Sequence, residues 1–291
     1  MRRQLVGLIA LAWFGLLAST VAQATPLSDG LLGYWQFEGS GADSSGNGNT
    51  LTLNGAAGYG PGLFGQALSL NGTIGTNASM TTNNTAFDFG SSDFTVQAWA
   101  KFNAAGNPAS SIQILIEKFF GGTGPGWTLY TDGNTIQFYA DGASVSLVGG
   151  VSNVANSWEQ FVITRTGNVW DLYWDDNLVA TTTIAHSLSG TTNPLLFGAR
   201  DPQDSDNFTL NGLEDEVAIW NRGLSASDIA VLWNNGSGEQ IPVQVPEPAS
   251  LMLLVVGLLG LGMFRRPPPY LTPGCSPSIR GRPASWLVEV S

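Results

Sequence analysis

Glu214, Asp215 and Glu216 stand side by side within the segment Gly212–Ser225, and such a run of carboxyls supports two kinds of chemistry. Side chains alternate along a strand, so Asp215 is expected to share a face with Val217 and Ile219, and Glu214 to share the opposite face with Glu216 and Ala218. A same-face pair of carboxyls roughly 5–5.5 Å apart is the spacing of a retaining glycosidase. Neighbouring carboxylates on a strand also make an ordinary solvated edge or a metal rim. Val217 and Ile219 read as core, which puts Asp215 at the inner edge of the fold, where a bare carboxylate is costly to bury. A cation would relieve that cost. Asp43, with Asn47 and Asn49 in a glycine-rich loop, supplies hard oxygen ligands of the kind Ca²⁺ takes, so Asp43, Asn47, Asn49 and Asp215 form a candidate metal set. The alternative is that Asp43 organises an Asx-turn and Asp215 bonds to backbone. Both readings stay open on the sequence.

Other catalytic constellations are hard to assemble. The only histidine, His186, sits in the loop-like stretch Ile184–Leu188, and the only cysteine, Cys275, follows the last apolar run. A Ser-His-Asp triad or a zinc site therefore has few members to draw on, and no catalytic residue is assigned. The segment before that run has no disulfide, which makes a bridging ion the obvious staple. Ten tryptophans remain as candidates for stacking on sugars. Trp35, Trp99, Trp158 and Trp220 lie in strand-like motifs and read as core. Trp127, after the Gly121–Gly126 stretch, and Tyr173, between Leu172 and Trp174, are the two rings expected to be open to a ligand.

The elements that position these residues read as strands. Runs such as Phe94–Ala100, Trp127–Tyr130, Ile136–Ala140 and Phe161–Arg165 alternate in polarity, and the turn signals Thr131–Asn134, Asp141-Gly142 and Asp175–Asn177 separate them. One short helix is expected over Ser225–Trp233, with Ser225 as its cap, Asp228 three residues on, and Ile229, Leu232 and Trp233 on one face. Between Thr25 and Pro248 there are 21 acidic and five basic side chains, a balance of −16. Such a surface repels nucleic acid and anionic lipid and suits cations or neutral sugars.

Several motifs, in order, resemble the concanavalin A-like lectin/glucanase (LamG-like) jelly-roll family. They are Gly30–Glu38 with Ala42–Asn49, Phe64–Gly72, Ser157-Trp158 before Phe161–Arg165, Leu172–Asp175, and Gly212–Ser225 leading into the short helix. The resemblance spans about residues 30–236 and implies an all-β fold. That fold is a concanavalin A-like jelly-roll β-sandwich of two antiparallel sheets, with one short helix near the domain end. It further implies a Ca²⁺ site joining the Asp43 and Asp215 segments. Glu159-Gln160 stand where many relatives carry two histidines, and are expected to face solvent. The Glu214–Glu216 run is loosely similar to the acidic motif of laminarinase-type glucanases. That motif keeps a further glutamate where this chain has Val217, Ala218 and Ile219, and the Glu216–Arg222 context matches non-catalytic members.

Both ends carry export signals. Arg2 and Arg3, an apolar run from Leu5 to Ala18, and the small-x-small Ala22-Gln23-Ala24 read as a signal peptide over 1–24. At the other end come Val245-Pro246-Glu247-Pro248, an uncharged stretch to Phe264, then Arg265-Arg266. The prolines hold the chain extended, the apolar stretch is short for a ~30 Å hydrocarbon core, and the arginines belong on the cytoplasmic side. This order resembles the PEP-CTERM sorting signal, which implies recognition by an exosortase in a Gram-negative envelope and a role in extracellular polysaccharide or biofilm matrix. The expected organisation is a jelly-roll domain over 25–240, a linker and sorting signal over 241–266 with a membrane helix at 249–264, and a Pro-rich, disordered tail over 267–291. The expected function is an exported, non-catalytic binding protein associated with carbohydrate. A ligand-free matrix component and a glycoside hydrolase are the alternatives.

Overall fold

Alternating polarity broken by glycine and aspartate turns yields fifteen strands in the computed structural model, which describes residues 25–81, 83–103, 111–151, 155–200 and 208–243. In chain order they are β1 (Leu31–Trp35), β2 (Leu51–Asn54), β3 (Gly58–Pro61), β4 (Gln66–Asn71), β5 (Asn77–Met80), β6 (Phe94–Phe102), β7 (Ile112–Phe119) and β8 (Gly126–Asp132). There follow β9 (Thr135–Ala140), β10 (Val145–Gly150), β11 (Glu159–Thr166), β12 (Val169–Trp174), β13 (Asn177–Thr183), β14 (Leu196–Phe197) and β15 (Asn211–Trp220). One sheet runs β13-β12-β11-β6-β15-β4-β3 with β1 also on β15, and the other runs β10-β9-β8-β7-β14-β5-β2. All recorded pairings are antiparallel. The expected two-sheet sandwich is what forms.

Between the sheets lies one apolar core that includes Trp35, Phe94, Trp127, Phe138, Phe161 and Trp170. Aromatic geometry locks it: Phe89 stacks on Phe94 at 4.1 Å, and Trp170 meets Phe94 edge-on at 5.7 Å. Gly126 opens β8 at φ +100°, and a Cβ there would lie 2.1 Å from the Lys118 carbonyl oxygen, so only glycine admits β7 this closely.

The eight-stranded sheet is covered on its outer side. Helix α1 (Ala226–Trp233) packs there through Ile229 and Leu232, and Ile241 of the chain that follows joins them over Tyr34, Ala218 and Trp220. The Ser225 hydroxyl accepts the Asp228 N–H at 3.2 Å while Asp228 accepts the Ser225 N–H at 3.0 Å, the reciprocal cap that the spacing anticipates. Trp233 stacks on Trp99 at 5.1 Å, which ties the helix to β6.

β15 is the strand on which this sheet turns. Its first half pairs with β4 and its second half with β1, while its other edge follows β6 throughout. The register slips between Asp215 and Ala218, and Glu216 takes φ +48°. This is a β-bulge at the point where one neighbour is exchanged for another. The compact unit ends at Val243. Among the described residues no helix is long and apolar enough to cross a membrane. The signal peptide, the 249–264 helix and the tail fall outside the described residues.

Candidate functional site

The bulge reverses the expected placement of the three carboxyls. Glu214 lies opposite Leu68 and Ala100, two core residues, so it points between the sheets with Val217 and Ile219. Asp215 lies opposite Trp99, on the outer side beneath α1, where the extra residue of the bulge leaves Glu216 with it. Strict alternation fails because one backbone position is inserted. Glu214 and Glu216 therefore do not share a face, and the glycosidase-like pair does not form.

Each acid has a different environment. Glu214 is wholly buried, neither of its oxygens has a hydrogen-bond partner, and burial holds its pKa well above the ordinary glutamate value. Asp215 accepts the N–H groups of Leu63 (2.8 Å), Phe64 (3.2 Å) and Glu216 (2.8 Å). Burial and the adjacent Glu216 still push it up to about 8. Glu216 accepts from the Tyr34 hydroxyl and from Gln240 Nε2 at 3.1 Å, and burial raises it to about 7 against those two donors. The Ile241 N–H donates to the Tyr34 hydroxyl at 3.3 Å, so this network fastens the segment after α1 to β1 and β15.

The residues proposed for Ca²⁺ are engaged elsewhere. Asp43 accepts the N–H groups of Tyr34 (3.0 Å), Ser45 (2.9 Å) and Asn49 (2.9 Å), which uses both of its oxygens. The Asn47 amide donates to the Leu31 and Leu32 carbonyls, and Asn49 donates to Leu32 and accepts from Asn84. Asp43 thus closes its own loop onto β1, whereas Asp215 closes the turn between β3 and β4. These residues do not fit one ion shared by the two segments, and among the described residues no group of three or more His, Cys, Asp or Glu could hold a metal.

Both expected aromatic platforms are interior. Trp127 is 1% exposed, donates its indole N–H to the Phe87 carbonyl at 2.9 Å and stacks on Phe89. Its place in β8 puts it on the core side of the strand, and Gly126 before it serves the close approach of β7. Tyr173 is buried in the cluster with Val162 and Trp220. Glu159 and Gln160 are buried too, Gln160 donating to Gln97 Oε1 at 3.0 Å, so neither faces solvent. Trp35, Trp99 and Trp220 are core as expected. Trp158 is half-buried, with the Lys101 ammonium 5.4 Å from its ring. Val245, Pro246, Glu247, Pro248, Arg265 and Arg266 lie outside the described residues.

The outer side of the seven-stranded sheet carries no helix among the described residues; it is exposed at its borders, while Ile114, Glu117, Thr128 and Leu196 at its middle are buried. Ser146, Tyr139, Thr128, Glu117, Leu196, Ser79 and Thr52 pair across all seven strands as one row. A parallel row carries Val148, Gln137, Tyr130 and Ile114. Glu117 is buried and paired with Arg200, Nε to Oε2 at 3.5 Å, and the guanidinium lies 5.5 Å from the Phe119 ring. The buried Thr128 hydroxyl has no hydrogen-bond partner. A hollow of about 120 Å³ opens beside them, lined by Phe119, Tyr130, Tyr139 and Arg200. At its border the loop after β7 presents Phe120, 60% exposed. Alternation along β8 and β9 could have identified Tyr130 and Tyr139, whereas Phe120 gives no signal in the sequence.

A profile described as the concanavalin A-like lectin/glucanase superfamily matches residues 74–230, just over half of the 291-residue chain, and the PEP-CTERM protein-sorting motif matches residues 244–266. No curated protein matches the sequence significantly. Among solved structures, the binding domain of Paraclostridial Mosquitocidal Protein 1 is similar, with TM-score 0.59 and 18% identity over 72% of this chain and 53% of that one. The botulinum neurotoxin serotype G binding domain gives 0.55 and 18% over 71% and 51%. The receptor binding domain of botulinum neurotoxin D gives 0.57 and 16% over 72% and 53%. The chain therefore spans about half the length of these structures, and at such identities the likeness is one of fold.

Two predictions follow from the acids. Each raised carboxyl sits above the roughly 4 of an unfolded carboxyl, so the unfolded chain loses its proton first and stability falls as pH rises from there toward the folded value. Replacing Glu214 with leucine removes an unsatisfied carboxyl from the core and should stabilise the domain by ~1–4 kcal/mol. The gain should be larger at about pH 8 than at about pH 5, as read by urea denaturation; a loss of stability at both would contradict the placement. Because Asp43 and Asp215 spend their oxygens on N–H donors, EDTA should leave the melting temperature unchanged, and a drop restored by added Ca²⁺ would show an ion at work.

Proposed function

This chain belongs to the concanavalin A-like lectin/glucanase superfamily and carries a sorting motif of exported Gram-negative envelope proteins, and from that premise we propose that it is a non-catalytic binding protein for a neutral extracellular polysaccharide. One observation carries the reading. Helix α1 and the segment after it cover the outer side of the eight-stranded sheet, while on the outer side of the seven-stranded sheet Tyr130 and Tyr139 are partly exposed, near Phe120, which is 60% exposed.

The chemistry of that face suits sugars. Ring faces take the apolar C–H surface of a pyranose, while Gln137, Ser146, Ser79 and Asn54 offer donors and acceptors to its hydroxyls. Arg200, the cation lining the hollow, is spoken for by Glu117, and the chain carries a net −11, so a polyanionic ligand is disfavoured. The burial of Glu214 and Glu216 supports a site without hydrolysis, since neither carboxyl reaches this face. An open platform buries little area, and affinity is accordingly weak.

The motif over 244–266 implies sorting by an exosortase, with the apolar stretch serving as a membrane anchor until processing. The placement in extracellular matrix rests on that signal together with the ligand class.

A glycan array is the direct test. Neutral polysaccharides should bind, Tyr130→Ala and Phe120→Ala should each weaken the interaction about tenfold, or ~1.4 kcal/mol, and no reducing sugar should be released. Binding indifferent to both substitutions would remove the site, and sugar release would reinstate the hydrolase. In the native host, intact mass should place the mature C-terminus near Pro246–Pro248; retention of residues 249–264 beside an active exosortase would argue against processing.

A further inference from the structure

The loop from Phe120 to Pro125 has a hollow on each side. One is the aromatic hollow already described, into which Gly122 faces; the Tyr139 hydroxyl donates to the Gly122 carbonyl at 3.1 Å. The other, about 370 Å³, is lined by Thr123, Asp141, Ser144, His186 and Ser189. It is a shallow depression whose lining is more polar than apolar. None of the residues at its base was singled out for binding by the sequence.

The base of this second hollow is built around one carboxylate. Asp141 is nearly buried and accepts the N–H groups of Gly126 at 3.0 Å and Ser189 at 2.8 Å, and His186 Nε2 lies 2.8 Å from its Oδ2. Asp141, Gly142 and Ala143 hold φ of +48°, +63° and +71° in succession. Two non-glycine residues in that region cost energy, which the carboxylate's bonds to β8 and to the 184–191 loop offset. The result is an imidazole whose orientation is fixed. Against an accepting carboxylate oxygen Nε2 is the nitrogen that bears the hydrogen, and in the Nε2–H tautomer Nδ1 is an acceptor. The side chain is a quarter exposed in the hollow.

We infer that this hollow is a second saccharide subsite, separated from the open sheet face by the Phe120–Pro125 ridge, in which His186 Nδ1 accepts a hydrogen bond from a sugar hydroxyl. The inference rests on the saccharide reading of the neighbouring face. Three features select the ligand class. Nδ1 is an acceptor and needs a hydroxyl or amine donor. The hydroxyls of Thr123 and Ser189 can donate or accept, as a polyol requires, while the Ser144 hydroxyl donates to the Asp141 carbonyl at 2.8 Å and is left to accept. Among the described residues no lysine or arginine lines the hollow, so a phosphate or carboxylate ligand finds no cationic partner there. Phe120, in the loop that contributes to both hollows, is 60% exposed and offers a stacking surface. His186 is then a specificity-determining residue that reads a hydroxyl beyond the main face.

His186 is the only histidine in the chain, so its imidazole gives a single set of nitrogen resonances. Long-range ¹H–¹⁵N spectra of the intact domain should show the Nε2–H tautomer. Titration with glucose, galactose and rhamnose, each in turn, should move the Nδ1 resonance with at least one sugar. That shift should survive Tyr130→Ala, and the affinity for the same sugar should fall about fivefold in Ser189→Ala or His186→Gln. A ring in the Nδ1–H tautomer would overturn the inference. So would calorimetric binding abolished by Tyr130→Ala while the imidazole never moves, an outcome that leaves the sheet-face reading standing. Silence in both measurements with all three sugars and with a neutral glucan oligomer would sink the two readings together.

Discussion

The eight-stranded sheet depends on how β15 accommodates the Asp215–Glu216 bulge. A strand has two edges, yet β15 serves β6 on one and both β4 and β1 on the other. Exchanging β4 for β1 in mid-strand leaves backbone groups at the junction in need of partners, and the Asp215 carboxylate takes up the N–H groups of Leu63, Phe64 and Glu216 there. Gly62 admits the close approach: a Cβ at that position would lie 2.6 Å from Asp215 Oδ2. The positive φ at Glu216 then sends its side chain toward Tyr34 and Gln240. A single inserted residue thus joins the first strand, the last strand and the chain leaving the domain.

That junction also decides which surface is free. Once Glu216 and Tyr34 anchor the segment after α1, the outer side of the eight-stranded sheet is roofed by Ile229, Leu232 and Ile241 and becomes a second core. Among the described residues no helix covers the opposite sheet in this way. There polar and aromatic side chains occupy the outward positions of β8, β9 and β10, and Phe120 stands proud of the adjoining loop. Acids that looked suited to chemistry serve architecture, while tyrosines that looked ordinary line the open face.

Periodicity and turn chemistry made the sandwich legible. The runs at Phe94, Ile136 and Phe161 became β6, β9 and β11, and the reciprocal Ser225–Asp228 cap starts α1 where its residue types place it. The site was much less legible, for a local reason and a non-local one. Locally, a bulge carries no residue signature here, so alternation carried through Asp215 exchanged the faces of Glu214 and Asp215. Non-locally, exposure depends on what the fold lays over a side chain. Trp127 follows six loop-like residues, yet it lies beneath Phe89, which comes from the connection preceding β6. Asp141 and His186 are 45 residues apart, and only the packing of the 184–191 loop on β8 brings them together.

Cohesion of the described domain without a disulfide follows from the same economy of backbone bonding. Asp43, Asp141 and Asp215 each gather two or three N–H groups from separate segments, so each carboxylate does locally what a cross-link would do covalently. Bonds of this kind leave the chain able to fold without oxidation. They also consume acidic oxygens that would otherwise bind cations. The same economy holds on the seven-stranded sheet, where the Arg200 guanidinium is paired with the buried Glu117 and the hollow beside it is lined by the rings of Phe119, Tyr130 and Tyr139.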